Sequence, residues 1–431
     1  MNRVFVTGYG LCCGNGLDTQ EYWDNCSSLK TGLRVHEPWS HLDIKIVGLV
    51  PEDRFTEKEK KEVEYFRARR TVFTRRALTE ALEMAGVNTE NEEEVGVFLG
   101  VDFYSGDEYF LYGVINYYPQ GKGEDRWEEF DLGYSISRFL KTGMKKDINT
   151  ELLKSQTFFG YQPWIDRYIR SLIKKDGASR IINNLCVSSV QSIGEAFQSI
   201  QNGDQDVVIT GGLEEYSFVS GFTFSKLGVY VNAEDPSDSC TPFDARRKGT
   251  VLGEGAGILI LESEEHMKKR GATPIAEISG YSTTNNVYHV TNSPTQGEGL
   301  AQSMEEALQD SGLSESDIDV VVAHGTGTYV NDSSECNAIN TVLPSKPLVH
   351  SMKSYVGHTL SAAGVINVIT GLLEMKHSFV LPTLFLKKPG KNCDVNHVKA
   401  EGEEKEVNAF LTNAAGFGGF NGSLVITKAN E

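Results

Sequence analysis

The chain has no C-x-x-C pair, no apolar run of membrane-spanning length and no excess of positive charge. Its seven cysteines, at 12, 13, 26, 186, 240, 336 and 393, follow no ligand or disulfide spacing, so neither a zinc site nor a disulfide framework is indicated. A spanning helix needs about 20 consecutive apolar residues, which no segment supplies, so a transmembrane reading is rejected. The segment Met1–Gly8 enters a strand-like pattern with neither an apolar h-region nor a small-residue cleavage site, which with unpaired thiols leads to an expected cytoplasmic location. A formal net charge of −18 opposes binding to nucleic acid and to anionic membranes.

What is present is an alternation of helix-like and strand-like segments with an internal echo. Arg76–Val87 has helical spacing and a terminal glycine, and an acidic loop then leads to the strand-like Val95–Gly100. Ser303–Leu313 repeats the Glu-Ala-Leu helix and its Gly stop, and another acidic loop leads to Val320–Gly325. The helix after Cys186 precedes Val207–Gly212, just as the apolar run after His358 precedes Ala409–Asn413. Matching order over several elements predicts two similar α/β halves, 1–265 and 266–431, built from βαβ units with mainly parallel sheets. An aromatic and charged stretch, about 102–177, interrupts the first half as an inserted cap region. Its helix is expected from Trp164 to Lys174, with Ile165, Tyr168, Ile169 and Leu172 on one face. A substrate-facing wall and a packing or subunit contact are equal readings of this stretch.

Cys186 stands in Asn183-Asn184-Leu185-Cys186-Val187-Ser188-Ser189, directly before the amphipathic run Val190, Ile193, Phe197, Ile200. A thiol at a helix start meets unpaired N–H groups and the positive end of the helix dipole, which favour the thiolate. Cysteine is also a small apolar residue that cores bury, so the local sequence leaves both readings open. Downstream lie two histidines in small-residue contexts, Ala323-His324-Gly325-Thr326-Gly327-Thr328 and Lys353-Ser354-Tyr355-Val356-Gly357-His358. A placed thiol with two histidines suggests covalent acyl chemistry.

These segments are joined, in order, by Val6-Thr7-Gly8-Tyr9-Gly10, Thr241-Pro242-Phe243-Asp244-Ala245-Arg246, Gly253-Glu254-Gly255-Ala256-Gly257 and Gly416-Phe417-Gly418-Gly419-Phe420-Asn421. The series resembles, almost end to end, the β-ketoacyl-acyl-carrier-protein synthases, condensing enzymes of the thiolase fold in fatty acid and type II polyketide synthesis. The resemblance implies an α/β thiolase fold, its duplicated halves forming a layered α/β/α/β/α core. It implies Cys186 as acyl acceptor, His324 and His358 as donors to the malonyl thioester oxygen, and Lys353 as support for them. Thr326, Thr328, Asp332 and Glu335 would shape the loop of His324. Phe417 would gate the acyl pocket, its N–H forming an oxyanion hole with that of Cys186.

No cofactor or metal is implied, because substrates ride on the phosphopantetheine of an acyl carrier protein. The implied partners are that carrier protein and a second subunit, in a homodimer or a heterodimer with a chain-length-factor-like chain. Arg67, Arg69 and Arg70, in the densest basic segment, are expected to dock the acidic carrier. The alternative is a solvated face paired with Glu62 and Glu64. The chain departs from the family pattern at Lys248, Asn286, Asn367 and Phe420. An acyltransferase that uses acyl-Cys186 for priming, ester or amide formation without elongation is therefore the second enzymatic reading. A non-catalytic partner of an active homologue is disfavoured by the cysteine and both histidines.

Overall fold

Ten consecutive buried residues, Val4–Cys13, form the first strand, β1, and their near-continuous apolar character fits a strand covered on both faces. The computed structural model describes residues 1–36, 44–66, 68–92, 94–101 and 162–429. The rest of the first half supplies β2 (Gly96–Val101), β3 (Ser179–Ile182), β4 (Val207–Glu214) and β5 (Gly255–Ser263). The second half supplies β6 (Ala276–Asn285), β7 (Val320–Val322), β8 (Leu348–His350), β9 (Ala409–Ala415) and β10 (Phe420–Lys428). Together they make one hydrogen-bonded sheet of order β8-β7-β9-β10-β6-β1-β5-β4-β2-β3.

Read outward from its centre, each half runs the same way: β1-β5-β4-β2-β3 on one side, β6-β10-β9-β7-β8 on the other. The short antiparallel contact of Phe5 and Val6 with Glu277 and Ala276 joins them. The helix Glu264–Arg270 lies between β5 and β6. The expectation of mainly parallel sheets needs correction, because both halves are mixed. β2, β3 and β4 are mutually parallel, as are β7, β8 and β9, whereas β5 and β10 run antiparallel to their neighbours. In the second half the physical reason is local: the glycine turn Phe417–Gly419 folds β9 directly back onto β10 as a hairpin.

Four helices build the layers. Helix α1 (Arg70–Ala85) lies on β1 and β5, and α4 (Glu298–Ser311) lies on β6 and β10. The approach is close in both halves: a Cβ at Gly10 would strike the Ala77 carbonyl, and one at Gly280 the Ala307 carbonyl. Left-handed glycines end both helices, Gly86 at φ 64° and Gly312 at φ 70°. Between the half-sheets lie α3 (Ser188–Gln201) and α6 (Ala363–His377). These two meet where Gly364 sits against Val190, and the Val365 N–H donates to Ser189 Oγ at 3.1 Å. The result is the layered α/β/α/β/α arrangement. Each central helix follows a 3-10 turn, Leu185–Val187 or Leu360–Ala362, whose first leucine is left-handed, at φ 53° and 40°.

Residues 102–161 of the expected cap lie outside the described residues; its final helix, α2, spans Gln162–Ile173. Ile165, Tyr168 and Ile169 are buried as their spacing predicts, whereas Leu172 faces outward. Among the described residues no helix is long and apolar enough to cross a membrane. The last helix needed below, α5, spans Tyr329–Val342.

Candidate active site

Cys186 occupies the middle of the turn between β3 and α3. Leu185 takes a conformation that L-residues rarely adopt, and the turn is pinned around it: Ser188 Oγ donates to the Leu185 carbonyl at 2.7 Å and accepts from the Asn184 N–H at 2.8 Å. This places the thiol one residue pair before the first turn of α3, on the floor of a cavity that it shares with His324, His358 and Phe417.

His358 is held by its backbone, its N–H donating to the Val251 carbonyl at 2.8 Å and its own carbonyl accepting from Gly253 at 3.0 Å. Its ring Nδ1 accepts the Leu360 N–H at 3.2 Å, which fixes the ring proton on Nε2, 3.1 Å from Cys186 Sγ. His324 follows β7. Glu335, on α5, accepts the N–H groups of His324 and Gly325, each at 2.7 Å, and so clamps the start of the loop. The Lys353 ammonium donates to the His324 carbonyl and approaches His324 Nδ1 at 3.3 Å, so this ring too carries its proton on Nε2. The rings of His324 and His358 are edge to face, 5.2 Å apart, and with Cys186 Sγ their ligand atoms lie within 4.8 Å of one another.

Burial, then Lys353, then His358 depress the pKa of His324 far below the ordinary histidine value; burial and Lys353 do the same to His358. Both rings are therefore neutral donors at neutral pH. Burial also lowers Lys353, against the opposing pull of Glu335, and burial raises Glu335 to about 7 against its two backbone donors. The same hydrogen bonds work against a metal at this cluster: a metal-bound Nε2 would move each proton to Nδ1, which already faces a donor.

Asp332 completes the loop, accepting from the N–H groups of Thr326, Gly327 and Phe243 at 3.0, 3.1 and 2.8 Å. The hydroxyls of Thr326 and Thr328 are 2.9 Å apart on the cavity wall. Phe417 begins the turn after β9, followed by Gly418 and Gly419 at φ 81° and 83°, and its ring packs 5.6 Å from that of Phe224. Phe224, on the helix Phe218–Lys226, also presents its ring to His358. Sequence reading missed Phe224, which belongs to no motif and reaches the site only through the fold. Of the family departures, Asn286 and Lys248 line the cavity, while Asn367 on α6 donates to the carbonyls of Val322 and Ala323 at 3.4 and 3.3 Å.

At Arg69 and Arg70 the carrier-docking expectation needs correction. Arg70 is 0% exposed and pairs with Glu215 at 3.2 Å, and Arg69 pairs with the buried Glu254 at 2.6 Å and with Glu52 at 3.2 Å. The half-buried Glu215 after β4 and the buried Glu254 before β5 need countercharges, and these arginines supply them from inside the fold. Glu62 pairs instead with Arg75, at 3.0 Å. Arg67 lies outside the described residues.

Two family models match the chain, the N-terminal domain of β-ketoacyl synthases over residues 168–267 and their C-terminal domain over 275–387. The chain is 32% identical to 3-oxoacyl-[acyl-carrier-protein] synthase 2 of Staphylococcus aureus (strain COL), covering 99% of this chain and 98% of that one. A β-ketoacyl synthase structure from Burkholderia phymatum STM815 superposes with a TM-score of 0.83 at 27% identity over the whole of both chains. A structure of a type II PKS acyl-carrier protein in complex with its ketosynthase bound to a hexaketide superposes at 0.80 and 26%, again over both whole chains. The fold is that of the thiolase-fold acyltransferases. Within that class, the chain belongs to the β-ketoacyl synthase family.

Proposed function

We propose that the chain is a β-ketoacyl-acyl-carrier-protein synthase of fatty acid or polyketide synthesis, with Cys186 as nucleophile. The observation that carries this reading is Cys186 Sγ 3.1 Å from His358 Nε2, with a second neutral imidazole beside it in one cavity. In the first half-reaction the thiolate attacks the acyl thioester of the carrier. A C–S bond forms to Cys186 as the C–S bond to pantetheine breaks, and the departing pantetheine sulfur takes up the proton that the Cys186 thiol gave up on ionising. The carbonyl oxygen, negative at the tetrahedral stage, is placed between the N–H groups of Cys186 and Phe417.

In the second half-reaction a malonyl thioester enters and its terminal C–C bond breaks, releasing carbon dioxide. The electron pair becomes an enolate whose oxygen accepts from His324 and His358 Nε2–H, donors kept neutral and oriented before the charge develops. The enolate carbon then attacks acyl-Cys186. A C–C bond forms, the thiolate returns, and the product leaves as a β-ketoacyl thioester on the carrier. Lys353, Asp332 and Glu335 position the histidine loop, and the Phe417 and Phe224 rings form the gate to the acyl pocket. This chemistry needs no cofactor or metal beyond the carrier-borne substrate. We place the enzyme in the cytoplasm, as a homodimer or a heterodimer with a chain-length-factor-like subunit, its duplicated halves dividing at 265/266.

The test is to incubate the enzyme with acyl- and malonyl-carrier protein and detect a chain two carbons longer by mass, with Cys186→Ala as control. An acyl-enzyme that transfers its acyl group without elongation would replace this reading with simple acyl transfer. Extension that survives in Cys186→Ala would overturn the nucleophile.

A further inference from the structure

The described residues that line the Cys186 cavity include no Asp or Glu, in a chain that has 59 of them. They include one ammonium, that of Lys248. The lining divides by depth. Cys186, His324 and His358 are buried at the floor, while Lys248, His289, Tyr329 and Val330 are exposed at the rim. Lys248 is fixed there by the next residue, Gly249, whose N–H donates to the Gly327 carbonyl at 2.9 Å and ties the segment to the His324 loop. Among the described residues no carboxylate pairs with Lys248.

A second rim group points to the same chemistry. His289 Nδ1 accepts the backbone N–H groups of Thr291 and Asn292, both at 3.1 Å, which leaves the ring proton on Nε2 as a donor. An ammonium and an imidazole N–H without a neighbouring lining carboxylate suit an anion, and the strongly negative charge of the whole chain would otherwise repel one.

We propose that Lys248, helped by His289, binds an anionic group of the incoming thioester at the cavity mouth. This rests on the proposed ketosynthase reading. The rim position matches the phosphodiester at the far end of the pantetheine arm, since the thioester end must reach Cys186 at the floor. A carboxylate on the substrate has the same chemistry, and the experiment separates the two sources.

Rates of Cys186 acylation are measured by mass with acyl-phosphopantetheine and acyl-pantetheine, which differ only in the phosphate. Decarboxylation of malonyl-pantetheine is followed alongside acetyl-pantetheine acylation. Because Lys248 is exposed, Lys248→Ala and Lys248→Glu are expected to fold, which thermal melting checks. For a phosphate site, Lys248→Ala lowers kcat/KM about fivefold with acyl-phosphopantetheine and leaves acyl-pantetheine unchanged. Lys248→Glu lowers it further, and the wild-type preference weakens with added salt. A loss confined to malonyl-pantetheine supports the anion site and assigns it to the carboxylate. Equal rates in variants and wild type, or an equal loss with all four substrates, overturn the proposal. Wild-type enzyme that fails to acylate with any of them contradicts the ketosynthase reading instead.

Discussion

Replacing Lys353 by methionine removes the ammonium that faces His324 Nδ1 at 3.3 Å while keeping most of the side-chain volume. The freed Nδ1 can then hold the ring proton, and His324 Nε2 stops being a donor to the enolate. One oriented donor to a developing oxyanion is worth about 3–4 kcal/mol, or about 10²–10³ in rate. His358 keeps its own donor through Leu360, so the expected loss is that of one donor and not of both. Lys353 is also the largest cause, after burial, of the low pKa of both histidines. Without it both values rise, each ring protonates at a higher pH, and the acid limb of the decarboxylation profile moves upward in pH. Acylation of Cys186 uses neither effect directly and should fall less than about tenfold. The assay follows carbon dioxide release from malonyl-carrier protein and, separately, acyl-enzyme formation by mass, both across pH. Decarboxylation within about threefold of wild type, or equal losses in both half-reactions with an unmoved acid limb, would refute the tautomer argument.

All seven cysteines are buried, but among the described lining residues only Cys186 opens on the cavity. Brief iodoacetamide treatment should therefore modify one thiol per chain, and peptide mapping should find it at Cys186 and lose it in Cys186→Ala. Burial raises Glu254 to about 7 despite Arg69, so its contribution to stability is full below about pH 4.5 and is lost as pH rises through about 7. Glu254→Gln should accordingly narrow the difference in melting temperature between about pH 5 and about pH 8, and an unchanged difference counts against it. A Cβ at Gly371 would enter the Phe410 ring, so Gly371→Ala should cost about 1–3 kcal/mol in urea unfolding without changing acylation of the folded protein.

The parts of the site legible in the sequence were those with local signals. Cys186 is flagged by the helix that follows it, the histidines by their glycine and threonine neighbours, and the duplication by repeated helix–loop–strand segments. The strand directions were less legible, because alternation alone does not say that β9 returns on β10 through a glycine hairpin. The arginine cluster misled for a related reason. Arg69 and Arg70 meet Glu215 and Glu254, which lie far along the chain, and a one-dimensional reading sees the charge without its partners. Phe224 was invisible on the same ground, and the left-handed Leu185 carries no residue-type signal at all.

The two left-handed leucines bear on how such a site can arise. Leu185-Cys186-Val187 and Leu360-Ser361-Ala362 are the same turn made twice, so Cys186 and Ser361 are counterparts. Ser361 is fully buried, and its one hydroxyl proton is shared between the Leu213 carbonyl at 2.6 Å and the Glu214 carboxylate at 2.5 Å, in the half that owns the thiol. One of the two bends turns its side chain to the cavity; the other uses its side chain as a rivet between the halves. The thiol belongs to the first copy and both imidazoles to the second. Neither half holds the reactive set alone, so the site exists only where the two halves meet.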